Sequence, residues 1–127
     1  MKLFAEAGPA NTEAVVGLAV EAARERGIKH LVVASATGAT ARRFLPYARE
    51  FNLVVVTHAF GFAGPGQNEM PPAVREELIR AGCKVVTATH VLSGAERGMS
   101  KRFGGVYPVE IIAHTLRVFG QGTKVAC

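Results

Sequence analysis

Two kinds of chemistry are written into short stretches of this chain. The first is anion binding. Leu31-Val32-Val33-Ala34 is an apolar run that ends in Ser35-Ala36-Thr37-Gly38-Ala39-Thr40 and continues as Ala41-Arg42-Arg43. A strand that turns on small and hydroxyl residues into a helix aims backbone N–H groups and the positive helix end at one point, which suits a phosphate. Ser35, Ala36, Thr37, Gly38, Ala39 and Thr40 are therefore the candidate phosphate-binding residues, with Arg42 or Arg43 in reach. The plainer reading of the same residues is that Ser and Thr cap the helix and Gly38 relieves the turn.

The second is proton transfer. His58 follows Thr57 and His90 follows Thr89, each pair at the end of an apolar run. Imidazole titrates near neutral pH, so two histidines at equivalent strand ends are candidate acid–base catalysts. Hydrogen-bonded structural histidines are the alternative. No HxxxH or CxxC spacing is present, so no metal site is expected. Phe60 and Phe62 are placed to stack on a flat ligand ring or to pack under their own loop.

Positioning these residues requires a regular frame, and the pattern predicts one. A weak first strand is read at 2–5. A helix capped by Asn11 or Thr12 carries Val15, Val16, Ala19, Val20, Ala22 and Ala23 at helical spacing and ends at Gly27. Strands follow at 30–34, 53–57 and 84–88, their apolar runs suiting strands covered on both faces. A helix over 40–50 is expected to be kinked or shortened by Pro46, and another runs from Pro71-Pro72 to about Ala81. Residues 89–105 form a long loop, helical in part from Gly94. Gly104-Gly105 is a break. Pro108 opens a helix with Val109, Ile112, Leu116 and Phe119 on one face, and Gly120-Gln121-Gly122 interrupts it.

Alternating strands and helices predict βαβ units and a mostly parallel sheet. Every strand-to-helix loop then falls at the carboxyl edge of the strands. That edge gathers Asn11, Thr12, the 35–40 turn, Thr57, His58, Gly61, Phe62, Glu69, His90, Ser93, Gly94 and Arg97 as the expected ligand pocket. The loops at the opposite edge are short, and long loops on one edge point to a binding site.

Composition sets the outer limits. The chain has 127 residues, a net charge of +5 with scattered Lys and Arg, and two cysteines outside any CxxC pair. One domain over 1–127, a reduced cytoplasmic setting, a small anionic ligand, no nucleic acid and no membrane are expected. The ligand class is a phosphorylated metabolite or nucleotide. Flavin mononucleotide, FMN, is one candidate, because it joins a phosphate to a flat ring.

Asn11-Thr12-Glu13-Ala14, the run from Ser35 to Ala41 and Gly105-Val106-Tyr107-Pro108-Val109 resemble the C-terminal α/β domain of pyruvate kinases. His30-Leu31-Val32-Val33-Ala34-Ser35, Gly61-Phe62, Asn68-Glu69-Met70-Pro71, the run from His90 to Arg97 and Ser100-Lys101-Arg102-Phe103-Gly104-Gly105 are closer still to small stand-alone archaeal and bacterial proteins built like that domain, with no assigned function. The resemblance covers essentially the whole chain. It implies an α/β three-layer sandwich with a mostly parallel sheet. In pyruvate kinases this domain is regulatory, holds no catalytic residues, and in many members grips a phosphate of a sugar bisphosphate at the turn matched by Ser35, Thr37, Gly38 and Thr40. Pyruvate kinase activity itself is not implied. The stand-alone proteins continue past the position of Cys127, with a helix, a strand and a second glycine-rich turn facing the first. The resemblance thus implies a half-built ligand site, completed by a partner chain if at all, and a homo-oligomer. An enzyme using His58 or His90, and a structural or oligomerisation module, are the other two functional expectations.

Overall fold

The computed structural model describes residues 2–127 apart from His90 and Ser93. Three strands, β1 (His30–Ala34), β2 (Asn52–Val56) and β3 (Lys84–Val86), form an all-parallel sheet in the order β1-β2-β3. Among the described residues, six α-helices accompany it: α1 (Thr12–Glu25), α2 (Ala39–Phe44), α3 (Pro72–Arg80), α4 (Ala95–Phe103), α5 (Pro108–Thr115) and α6 (Gln121–Ala126).

The strands form where β-branched residues run together, and register puts their side chains in rows. Val33, Val55 and Val85 lie side by side, with Leu31 beside Leu53 in the next row of the same face. Against these rows pack Val16, Val20 and Ala23 of α1, Ala41 and Phe44 of α2, and Val74 and Leu78 of α3, joined by Met70 and Cys83 in one buried cluster. Fully burying a side chain such as Leu53 or Leu78 is worth about 1.5–3 kcal/mol, so this layer is the main source of stability.

The other sheet face is covered differently. Ala34 belongs to it, and a methyl group placed on Gly122 of α6 would lie 3.7 Å from Cβ of Ala34. Helices therefore flank both faces, as an α/β sandwich requires. Coverage of the second face is partial, since Val32 and Val86 remain 51% and 41% exposed. The apolar runs suggested strands covered on both faces; the central β2 comes nearest, with Leu53 and Val55 buried on one face and Val54 and Val56 half-buried on the other, and the outer strands are more exposed.

Three local differences from the pattern have clear causes. Residues 2–5 are not a strand: Leu3 is 81% exposed and no strand pairs with this segment. Pro46 sits in a 3-10 turn, Leu45–Tyr47, that ends α2 well before residue 50. Gln121 and Gly122 open α6 rather than interrupting helix, because Gly120, at φ 108°, supplies the break alone.

α4 and α6 are tied by an ion pair with almost no solvent contact. Lys124 Nζ lies 3.6 Å from Glu96 Oε1, and the two side chains are 0% and 2% exposed. Burial pushes the Glu96 carboxyl up, but the N–H of Arg97, the Lys124 ammonium and the N–H groups of Glu96 and Gly94 outweigh it and hold it below the usual 4.5.

Candidate functional site

The turn after β1 does two structural jobs before any ligand is considered. Ser35 is buried, and its Oγ accepts a hydrogen bond from the Ala41 amide at 3.3 Å, tying the strand end to α2. Gly38 is buried at φ 91°, where a Cβ would run into Cγ1 of Val74. Ala36 is half-buried and Thr37 exposed. The capping and turn-relieving roles foreseen for Ser35 and Gly38 are thus present.

Ala39 and Thr40, at the start of α2, face a different surface. With Gly8, Pro9, Thr12 and Arg43 they line a depression of about 450 Å³. Thr12 opens α1, so two helix N-termini meet there. Among the described residues, no acceptor takes the Ala39 or Thr40 amide N–H. Arg43 Nη1 sits 3.1 Å from Glu13 Oε2, and both side chains are well exposed. Arg42 instead turns to Glu77, donating from Nε and Nη2 at 3.0 and 2.5 Å. Asn11 occupies the N-cap of α1 but does not cap with its side chain, which donates to the Glu6 carbonyl at 2.6 Å.

The chain after β2 builds a second cluster. Thr57 is fully buried, and its hydroxyl donates to the His58 carbonyl at 2.8 Å. Its one proton being used, Thr57 accepts from Thr87 Oγ1 at 2.8 Å, and Thr87 accepts from Arg75 Nη1 at 3.0 Å. Arg75 also donates to the Val85 carbonyl at 3.1 Å. This chain of bonds anchors the backbone from which His58 projects. His58 Nδ1 is hydrogen-bonded to Glu69 Oε2, both side chains about a quarter exposed. The imidazole lies against Phe62, centroids 4.3 Å apart at 42°, and the Arg97 guanidinium stands 5.5 Å from the centroid of the same Phe62 ring. Gly61, at φ 81°, makes the tight turn before Phe62, its amide donating to the Gln67 carbonyl at 2.8 Å.

The expected pocket residues therefore separate into groups. Thr12, Ala39 and Thr40 line the depression, while His58, Phe62, Glu69 and Arg97 form the second cluster. Thr57 and Gly61 support that cluster, and Gly94, at φ 91°, is the N-cap of α4. His90 and Ser93 lie outside the described residues. Among the described residues, no three His, Cys, Asp or Glu side chains gather to hold a metal ion. No helix among them is long and apolar enough to cross a membrane.

The family model for the pyruvate kinase alpha/beta domain matches residues 13–127. The chain belongs to that family. In this pyruvate kinase α/β domain the match begins at the first turn of α1; it takes in the His58 cluster and, of the depression, Ala39, Thr40 and Arg43, but not Gly8, Pro9 or Thr12. Sequence reading missed Arg75 and Thr87, which hold the backbone at Thr57. Arg75 lies on α3 among surface charges, and only its position opposite β3 sets it apart. It also missed the partnership of Glu96 with Lys124. Cys83 is buried, and burial pushes its thiol up, away from the reactive thiolate form.

Proposed function

We propose that this domain binds a phosphorylated small molecule, a metabolite or nucleotide, with the phosphate in the depression between α1 and α2. The observation that carries this reading is the make-up of that depression: Thr12, Ala39 and Thr40 at two helix starts, with Arg43 beside them. The free amide N–H groups of Ala39 and Thr40 and the positive helix ends favour negative charge there, the Thr12 amide being taken by the Pro9 carbonyl. The Arg43–Glu13 pair is exposed, so it is weak enough for a phosphate to displace the carboxylate. The net charge of +5 without a basic stripe supports a small anion over nucleic acid. Two cysteines outside any disulfide support a reducing, cytoplasmic setting.

The test is a thermal-shift series with inorganic phosphate, FMN, nucleotides and sugar phosphates. A ligand at a hundred times its Kd stabilises by about 2.7 kcal/mol. Arg43→Ala and Thr40→Val are expected to weaken the shift about tenfold in ligand concentration without lowering the ligand-free Tm. No shift with any phosphorylated ligand overturns the reading. Gly38 variants are unsuitable, because a side chain there strikes Val74.

We infer also that the domain self-associates through α5. Val106, Ile111, Ile112, Val118 and Phe119 are each 56–80% exposed. Several large apolar side chains exposed in one short stretch are the kind of patch that marks an interaction surface. A second copy offering the same face is the occupant that fits this apolar patch, which also carries Glu110, His114 and the exposed Arg117.

A further inference from the structure

We propose that the phosphorylated ligand is a nucleotide and that the free edge of β1 reads its ring. This rests on the phosphate-binding reading and says what lies beyond the phosphate: a flat heterocycle with donors and acceptors in its own plane.

A second hollow, of about 340 Å³, runs along β1. Val32 and Ala34 lie at its floor, Thr40 and Phe44 of α2 line one wall, and Gly122 and Ala126 of α6 line the other. Thr40 also lines the depression that holds Arg43, so the two hollows adjoin at that residue. One is polar and carries the cation; the other has apolar walls. Phe44 belongs to the buried cluster on one face of the sheet, and Gly122 lies against Ala34 on the other. The second hollow therefore continues the plane of the sheet beyond β1, with a helix on either side.

The backbone at the floor selects the ring. In a parallel ladder, alternate residues of a strand turn their N–H and C=O to opposite sides. The Lys29 carbonyl accepts from the Asn52 amide at 2.8 Å, and the Ser35 amide donates to the Val56 carbonyl at 2.9 Å. The odd-numbered residues of β1 thus face β2. Val32 and Ala34 turn their groups to the free edge, β1 being an outer strand. Among the described residues, no loop or helix takes these groups. The Val32 carbonyl and the Ala34 N–H are a neighbouring acceptor and donor. Such a pair matches the donor and acceptor on adjacent atoms of a nucleobase or flavin edge.

Other bodies on the phosphate fit less well. An alkyl chain in this hollow would bury the edge groups unpaired, which costs free energy. A sugar phosphate alone would leave the apolar walls untouched. A flat ring in the plane of the sheet meets the strand with its edge and the two walls with its faces, and Gly122 has no side chain to fill that space. The Phe62 ring, the other candidate for stacking, is already packed against His58.

The experiment compares AMP and FMN with ribose 5-phosphate, which carries no base, on the full chain. In thermal shift, at least one nucleotide is expected to act at concentrations about tenfold lower than ribose 5-phosphate. Equal potency of all three overturns the ring site and leaves phosphate binding in place. No shift with any of them, inorganic phosphate included, refutes the phosphate reading itself. Gly122→Leu fills the hollow, since a Cβ at Gly122 already lies at ordinary contact distance, 3.7 Å, from Ala34. It should remove the nucleotide advantage and leave the ribose 5-phosphate shift unchanged; an advantage that survives it overturns the placement. Amide hydrogen exchange followed by NMR needs no variant. Without ligand, the Val32 and Ala34 amides are expected to exchange faster than those of Leu31 and Val33, which bond to β2. The nucleotide should slow them about tenfold, and ribose 5-phosphate should not. If both amides are already protected without ligand, a protein segment covers the edge and the proposal fails.

Discussion

Gly38 and Gly66 make a useful pair at the scale of single residues. Both have positive φ, 91° and 73°, so any side chain is strained at either. Only Gly38 is crowded as well, by Val74 and Met70, while nothing lies within 4 Å of a Cβ at Gly66. Gly38→Ala is expected to cost roughly 2–4 kcal/mol and Gly66→Ala about 1 kcal/mol. Urea denaturation of the two variants checks this, and equal losses would show that the turn has room. A second residue-scale expectation concerns thiols. Cys127 is exposed and Cys83 buried with its thiol pushed up, so one equivalent of a thiol reagent should react in native buffer and two in denaturant.

At the scale of elements, the link between α4 and α6 decides how the second sheet face is held. Removing one member of a buried ion pair leaves the other charge stranded, so Lys124→Met is expected to destabilise by about 3–5 kcal/mol. Adding Glu96→Leu to it should recover most of that loss, as a double-mutant cycle by urea denaturation would measure. The pair also makes stability depend on pH. Glu96 is held below the usual 4.5, so its contribution is complete above that value and is lost as pH falls through the lowered one. Denaturation midpoints should fall on acidification below about pH 4.5, and Glu96→Gln should fall less steeply over that window. Glu50, lowered by its hydrogen-bonded partner Arg24, adds to the same trend.

The elements were also where sequence was most informative. β1, β2 and β3 could be read within two residues because runs of Val, Leu and Ala are bounded by Gly, Asn or hydroxyl residues. β2 ends at Val56, one residue short of the expected 57, although the Thr57 amide still donates to the Val86 carbonyl at 3.0 Å. α5 was legible as a helix but not in orientation: Ala113 is the fully buried residue, while Ile112 and Phe119 stay exposed on the side expected to be covered. A face read from periodicity says which residues are apolar and leaves open what meets them. The clusters were legible by membership, since His58, Phe62, Glu69 and Arg97 were all named. Their pairing was not, because His58 and Glu69 are separated by an irregular loop with no period to relate them. Lys124 reads as a surface residue in any linear pattern, and only the three-dimensional path of α6 brings it to Glu96.

For the molecule as a whole, the exposed side chains of α5 and its 3-10 continuation matter most. If this face joins two copies, sedimentation at rising protein concentration should show a dimer, and Ile112→Lys should return it to monomer while leaving the circular dichroism spectrum unchanged. A monomer at all concentrations would leave the patch without its proposed partner.

Strand order in this sheet equals chain order, β1 then β2 then β3. A chain emerging from the ribosome amino end first can therefore dock each strand on one already made, with no gap held open for a later arrival. The N-terminal layer of α1, β1, α2 and β2 then serves as the template for everything after it. Moving the termini by circular permutation, so that β3 is synthesised before β1, would remove that advantage without altering the final contacts. The cost should appear as slower maturation and more aggregation during synthesis rather than as a lower melting temperature.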